Sequence, residues 1–238
     1  MTYIYPAKPT SPTKPERSKY SIIIPAAGLG NRAKSLGVKS LIKLEHKTTI
    51  IDRQLQLIRQ HFHDCEIILV TGFQAKKVMD RTPNDIIKVE NERYDETGVV
   101  RSIGMGLRAA TTDNVIIIYG DVVFDAKILN QEFLESTLIT CSSMSENEVG
   151  LTADKYAEYM CYGLEDKWAQ IVYLTGKELH LFQQMTWDEN YHNLFGFEII
   201  NDIIKNNGQF HVVHSSGYAN DVDCRKDLIK IKRDLKLA

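Results

Sequence analysis

Three short runs of almost unbroken apolar residues constrain this chain more than anything else in it: "SIIIP" (Ser21–Pro25), "CEIILVTGF" (Cys65–Phe73) and "NVIIIYGDVVFD" (Asn114–Asp125). A strand that is apolar on both faces has to be covered on both faces, which is the situation of a parallel sheet packed between helices. Helical patterns lie between the runs. Thr49–Phe62 sets Ile51, Leu55, Ile58 and Phe62 on one face, "QAKKVMD" is a short helix, and Val99–Ala110 turns Val100, Ile103 and Leu107 inward. With a further strand at Asp85–Glu90, the βαβαβ order predicts an α/β fold: a doubly wound, mostly parallel, Rossmann-like sheet. Ligands are then expected beyond the carboxyl ends of the strands.

The pattern changes after about Leu138. "TLITCS", "EYMCYGL", "QIVYLT" and "NLFGFEII" read as short strands of a smaller mixed β subregion in the C-terminal half. "GFEIINDIIKNNG" also contains a helix, stopped at Asn207-Gly208, and the closing "DVDCRKDLIKIKRDL" is a helix with Leu228, Ile231 and Leu235 inward. Residues 1–19 hold four of the six prolines, with Lys, Ser and Thr, and read as a flexible arm before a single domain over 20–238.

Composition narrows the function classes. A net charge of -2 leaves no basic excess for nucleic acid, and no apolar run reaches the ~18 residues of a membrane span. The N-terminus lacks the apolar stretch of a secretory signal. Cys65, Cys141, Cys161 and Cys224 are far apart, which argues against zinc and disulfides and fits a reduced cytoplasmic compartment. The pairs His61/His63 and His211/His214 lack a third ligand at a convincing spacing.

After the first strand the chain spends small residues and cations on a long loop. Gly28-Leu29-Gly30-Asn31-Arg32-Ala33 matches the dinucleotide fingerprint G-x-G-x-x-A. That fingerprint has to open a helix at once, whereas Gly37 and the "SLGVKS" run keep this segment irregular. The second strand also ends in Thr71-Gly72, without the acidic residue that would hold a ribose. What remains suits a triphosphate. Ala26, Ala27, Gly28 and Gly30 let backbone N–H groups approach anionic oxygens, and Arg32 and Lys39 are charge-assisted donors.

"PAAGLGNR" with a downstream "KSL" resembles the signature of the nucleotidyltransferases that activate sugar phosphates, methylerythritol phosphate and phosphocholine. Val38 stands where that signature has proline. "IIIYGDVVFD" resembles the family's strand ending in a metal-binding aspartate, "NDVDCRKDLIKI" the closing segment that completes the metal site, and "GVVRSIGMGLRAA" the segment whose serine lies beside the base. The likeness covers Ser21–Asp125 well and the last helix moderately; it is closest in feel to the phosphocholine and phosphonate cytidylyltransferases. It implies a fold like that of nucleotide-sugar glycosyltransferases, with a nucleotide-binding half over about 20–137 and an acceptor-binding half over about 138–238. It implies CTP as nucleotide, and Mg²⁺ on Asp121 and Asp223 with Asp221 as the fallback ligand.

Such chemistry needs no general base, because a phosphate or phosphonate oxygen is already anionic. The obstacle is repulsion between polyanions, which fixed positive charge relieves. Arg32 and Lys39 are the expected catalytic cations. Ala26, Ala27, Gly28, Gly30, the Thr71-Gly72 turn and Ser102 are the expected nucleotide contacts. Trp168, Tyr173, Trp187 and Tyr191 are candidates for holding a cationic acceptor by cation–π attraction. Simpler roles stand beside these: Asp121 as a turn residue, Asp223 as a helix cap, Asp125 as the cap of the next helix, and the aromatics as core. The rival enzyme is a glycosyltransferase of the same fold, which would favour Asp-x-Asp over the wider carboxylate spacing of "GDVVFD".

Overall fold

The computed structural model describes residues 19–28, 37–141 and 148–237. The first half runs β1 (Tyr20–Ala26), α1 (Ile50–His61), β2 (Cys65–Thr71), α2 (Ala75–Arg81), β3 (Ile87–Glu90), α3 (Val99–Ala109), β4 (Asn114–Ile118) and β5 (Val122–Phe124). The second half runs β6 (Thr137–Cys141), β7 (Val149–Ala153), β8 (Ala157–Tyr162), β9 (Asp166–Thr175), α4 (Gly176–Trp187), α5 (Gly196–Lys205), β10 (His211–Ser215), β11 (Ala219–Asp221) and α6 (Arg225–Asp234).

The main path of the sheet is β10-β6-β9-β4-β1-β2-β3. β1, β2, β3 and β4 are mutually parallel, β6 and β10 are parallel to each other, and β9 is antiparallel to both of its neighbours. Along this path, β9 alone runs the other way. The β7–β8 hairpin hangs on the first residues of β9, with Gly150 opposite Lys167 and Leu151 opposite Asp166. A separate two-stranded ribbon pairs β5 with β11.

Period-two alternation divides the core between the two faces of the sheet. Ile22 and Ile24 pack with Ile51, Leu55 and Ile58 of α1 and Val78 of α2. Ile23 points the other way, into a cluster with α3, α4 and α5 through Val100, Ile103, Leu107, Phe182 and Ile199. α1 starts where the sequence asks it to: the Thr49 side chain accepts from the Asp52 N–H while the Asp52 carboxylate accepts from the Thr49 N–H. The two glycines inside α3 are contact points. A Cβ on Gly106 would lie 2.5 Å from Cγ2 of Ile23, and one on Gly104 would lie 2.7 Å from Cβ of Thr186. α3 therefore lies closer to β1 and α4 than an alanine would permit.

Two expectations change. "NLFGFEII" is helical from Gly196 onward, because Ile199, Ile200 and Ile203 recur at helical spacing and Glu198 accepts from the Phe195 N–H. A short apolar run does not by itself separate strand from helix. "NVIIIYGDVVFD" is two strands rather than one. β4 ends at Ile118, the Val122 N–H donates to the Tyr119 carbonyl, and β5 leaves for the small ribbon. That break puts a tight turn, Tyr119-Gly120-Asp121, at the carboxyl edge of the sheet. The arm expected over residues 1–19 falls outside the described residues except for Lys19.

Candidate active site

The carboxyl ends of β1 and β4 open into a cavity of about 570 Å³. The Gly120 N–H donates to the Pro25 carbonyl at 3.1 Å, and a Cβ on Gly120 would lie 2.7 Å from that of Ala26. This close approach brings Asp121 next to the start of the phosphate-loop segment. The Asp121 carbonyl accepts from the Val222 N–H at 3.1 Å, and Asp221 pairs with Val122 across the small ribbon. Asp121, Asp221 and Asp223 each thereby offer a carboxylate oxygen to one point, all within 4.8 Å of one another.

Asp223 does not cap the last helix with its side chain. Asp227 does that work, accepting from the Asp223 N–H at 3.0 Å and the Cys224 N–H at 2.6 Å. The Asp223 carboxylate is turned instead toward Lys39, on a 3-10 turn over Lys39–Leu41. The Lys39 ammonium donates to Asp223 Oδ1 at 2.7 Å and to Asp121 Oδ2 at 2.8 Å. Burial alone would lower the lysine's affinity for its proton, but Asp121 and Asp223 outweigh it and hold the ammonium firmly charged. Asp125 caps the following 3-10 turn, accepting from the Lys127 N–H.

Among the described residues, Asp121, Asp221, Asp223 and Glu148 outnumber the lysines beside them, Lys39 and Lys167. Burial first, then Asp121, Glu148 and Asp223, push the Asp221 carboxyl up to about 7, against the opposing pull of Lys167. Three carboxylates on one point, one of them reluctant to ionise, form an all-oxygen donor set suited to a hard divalent cation such as Mg²⁺.

The same cavity is also lined by Ala26, Ala27 and Gly28 at the end of β1, by Ser102 of α3, and by Tyr94, Asp95 and Thr97. Thr71 and Gly72 do not line it. Thr71 is buried and its carbonyl accepts from the Asn91 N–H at 2.7 Å, while Gly72 gives room to Tyr94 and Ala27. Gly30 and Arg32 lie outside the described residues.

The four aromatic candidates separate. Trp168 lines the cavity, edge-on to Tyr119 with centroids 5.5 Å apart. Tyr173 packs in the core 5.0 Å from Phe133, and its hydroxyl bonds to Asn114 at the far end of β4. Trp187 is exposed at the end of α4 and Tyr191 sits in a 3-10 turn; neither lines the cavity. Tyr162, Phe195 and Phe197 take their place, with Phe195 stacked on Phe197 and Tyr162 edge-on to it. The sequence signal for this group is the aromatic pair flanking Gly196 where α5 begins. Glu148 and Tyr119 also went unread. Tyr119 is half-buried at the cavity and its hydroxyl accepts from the Gly196 N–H; desolvation and the nearby Asp121 charge keep it protonated.

The fold is that of the nucleotidyltransferases with a nucleotide-sugar-transferase-like sheet. The CTP:phosphocholine cytidylyltransferase of Streptococcus pneumoniae superposes with a TM-score of 0.73 at 16% identity, over 91% of this chain and 99% of that one. The inositol-1-phosphate CTP transferase of T. maritima gives 0.68 at 14% identity over 91% and 97%. A UDP-glucose pyrophosphorylase complexed with UDP-glucose gives 0.73 at 12% identity over 91% and 98%. No protein-family model and no curated protein sequence matches the chain.

Proposed function

We propose that the protein is a Mg²⁺-dependent nucleotidyltransferase that joins CTP to a small phosphorylated or phosphonylated acceptor and releases pyrophosphate. The observation that carries this reading is a cluster of three aspartates, two of them bound by Lys39, in a cavity also lined by the Ala26–Gly28 edge and Ser102. The likeness to the cytidylyltransferases supports the nucleotide.

In this reaction an anionic oxygen of the acceptor attacks the α-phosphorus. A new P–O bond forms, the bond between the α-phosphorus and its bridging oxygen breaks, and pyrophosphate leaves with the electron pair. Mg²⁺ on Asp121, Asp223 and Asp221 would supply charge neutralisation at the phosphates. Lys39 and Arg32 donate hydrogen bonds to the phosphate oxygens that gain charge. Ala26, Ala27 and Gly28 offer backbone groups to the nucleotide, and Ser102 offers a hydroxyl to the base. Tyr119 stays protonated and holds the start of α5 against the cavity.

The acceptor wall suits a cationic headgroup. Trp168, Tyr162, Phe195 and Phe197 present ring faces and edges, and Glu148 adds a carboxylate on the same side. Cation–π attraction of ~0.5–2 kcal/mol per ring favours choline-like or amine-bearing acceptors over neutral sugars. The deciding assay offers each of the four ribonucleoside triphosphates with Mg²⁺ and a panel of phosphocholine, aminoalkylphosphonates and sugar phosphates, and measures pyrophosphate. Release that requires both CTP and a cationic acceptor is the expected result. No acceptor-dependent release with any pair would overturn the reading.

A further inference from the structure

Two lysines face the carboxylate cluster, and they are held in opposite ways. Lys167 is 3% exposed and is fixed by neutral oxygens of β11, the Ala219 carbonyl and the Asn220 side chain, with Glu148 at 3.3 Å. Lys39 instead binds the two carboxylates that would themselves hold a metal, Asp121 and Asp223. Its ammonium lies 2.7 and 2.8 Å from their oxygens. A divalent ion seated ~2.1 Å from the same oxygens would crowd that ammonium and repel it.

Two local features mark the turn that carries Lys39. Gly37, two residues earlier, has φ of +81°, a conformation that favours glycine. The neighbouring Ser40 hydroxyl is buried and has no hydrogen-bond partner among the described residues.

We propose that Lys39 is the resident cation of this site and exchanges with the divalent metal. Without ligands the ammonium neutralises Asp121 and Asp223. When the metal arrives, it takes those oxygens and Lys39 swings away, free to bind phosphate. The exchange couples the two cations: the metal site fills most easily when a triphosphate is present to receive Lys39. Only this last clause rests on the transferase reading. The exchange itself needs neither nucleotide nor acceptor.

The test uses Mn²⁺ alone, titrated into the full-length protein without nucleotide and followed by electron paramagnetic resonance. Lys39→Met keeps the length of the side chain and removes the competing charge, so it is expected to bind Mn²⁺ several-fold more tightly than wild type. Lys76→Met, which removes only an exposed ion pair with Asp80, should leave Mn²⁺ affinity unchanged. Equal or weaker binding by a folded Lys39→Met protein overturns the exchange, as does the absence of Mn²⁺ binding in both proteins. A second measurement needs no variant. Mass-spectrometric mapping of amine acylation should show Lys39 protected in metal-free protein and labelled faster with Mn²⁺. Unchanged labelling would also overturn the exchange. The transferase reading is judged by pyrophosphate release, so either idea can fail without the other.

Discussion

The side-chain amide of Asn91 donates to the Ser102 hydroxyl at 3.1 Å, and its direction is fixed because Asn91 Oδ1 accepts from the Arg93 N–H. The same amide nitrogen donates to Thr97 Oγ1 at 3.1 Å. Ser102 is therefore an acceptor toward Asn91, which leaves its own proton to be donated into the cavity. Asn91→Ala should weaken equilibrium binding of CTP by roughly five- to tenfold, the worth of about one hydrogen bond. Turnover at saturating nucleotide should fall much less. If calorimetric affinity for CTP is unchanged, Ser102 does not read the base.

Asp121 sits one residue after the close contact of Gly120 with β1. Asp121→Asn keeps its shape but removes a charge from the cluster. Pyrophosphate release should drop by about a hundredfold or more, the scale of losing a preorganised charge at a reacting phosphate. Retention of most of the activity would move the metal elsewhere.

Phe195 is exposed yet faces the cavity, so it can be removed at little cost to the core. Phe195→Ala should raise the acceptor KM by about two- to thirtyfold, corresponding to ~0.5–2 kcal/mol of cation–π attraction. The KM for CTP should stay constant. A rise in both would assign Phe195 to the shape of the whole site.

Gly106 explains why a helix tolerates a poor helix former. Gly106→Ala gains about 1 kcal/mol of helix propensity but drives a methyl into Ile23. Overpacking costs ~1–3 kcal/mol, so the variant should melt a few degrees lower. A higher melting temperature would show that α3 can move off the sheet.

The Asp221 carboxyl, lifted to about 7, makes the metal-free protein sensitive to pH. Between its ordinary value of ~3.9 and about 7, the folded state holds a proton that the unfolded chain has released. This group's contribution to stability therefore declines as pH rises through that window. In chelator, Asp221→Asn should gain stability relative to wild type on going from about pH 5 to about pH 8. Thermal melts of the two proteins across that range decide it. A difference that does not change with pH would show that Asp221 is an ordinary carboxylate.

What was readable from sequence was whatever is local. The Ile and Val runs of β1, β2 and β4 announce buried strands, the Thr49–Asp52 pair announces a helix start, and Gly120-Asp121 announces a strand edge. Lys39 and Asp223 are 184 positions apart, and no spacing rule says that their side chains meet. The structure separates the four aromatic candidates for a geometric reason, and of them Trp168 lines the cavity. Trp168 and Tyr173 are five residues apart on β9 and lie on opposite faces of the sheet, in its two separate core clusters. Grouping them by residue type ignored the pleat. Phe195 and Phe197 were hidden because an apolar stretch that begins a helix looks like one that forms a strand.

The reversed direction of β9 has a consequence for how such a protein can diversify. Because the strand enters the sheet at the cavity, Trp168 near its start lines that cavity, while residues further on, such as Ile171 and Tyr173, are core. The aromatic residues at the head of α5 are likewise separate from the isoleucines that bury its body. Under the proposed function, acceptor preference would rest on a few positions at the heads of two elements, where substitutions need not disturb the framework. Changes at those positions would alter what the cavity admits while the carboxyl ends of β1 and β4 stay as they are.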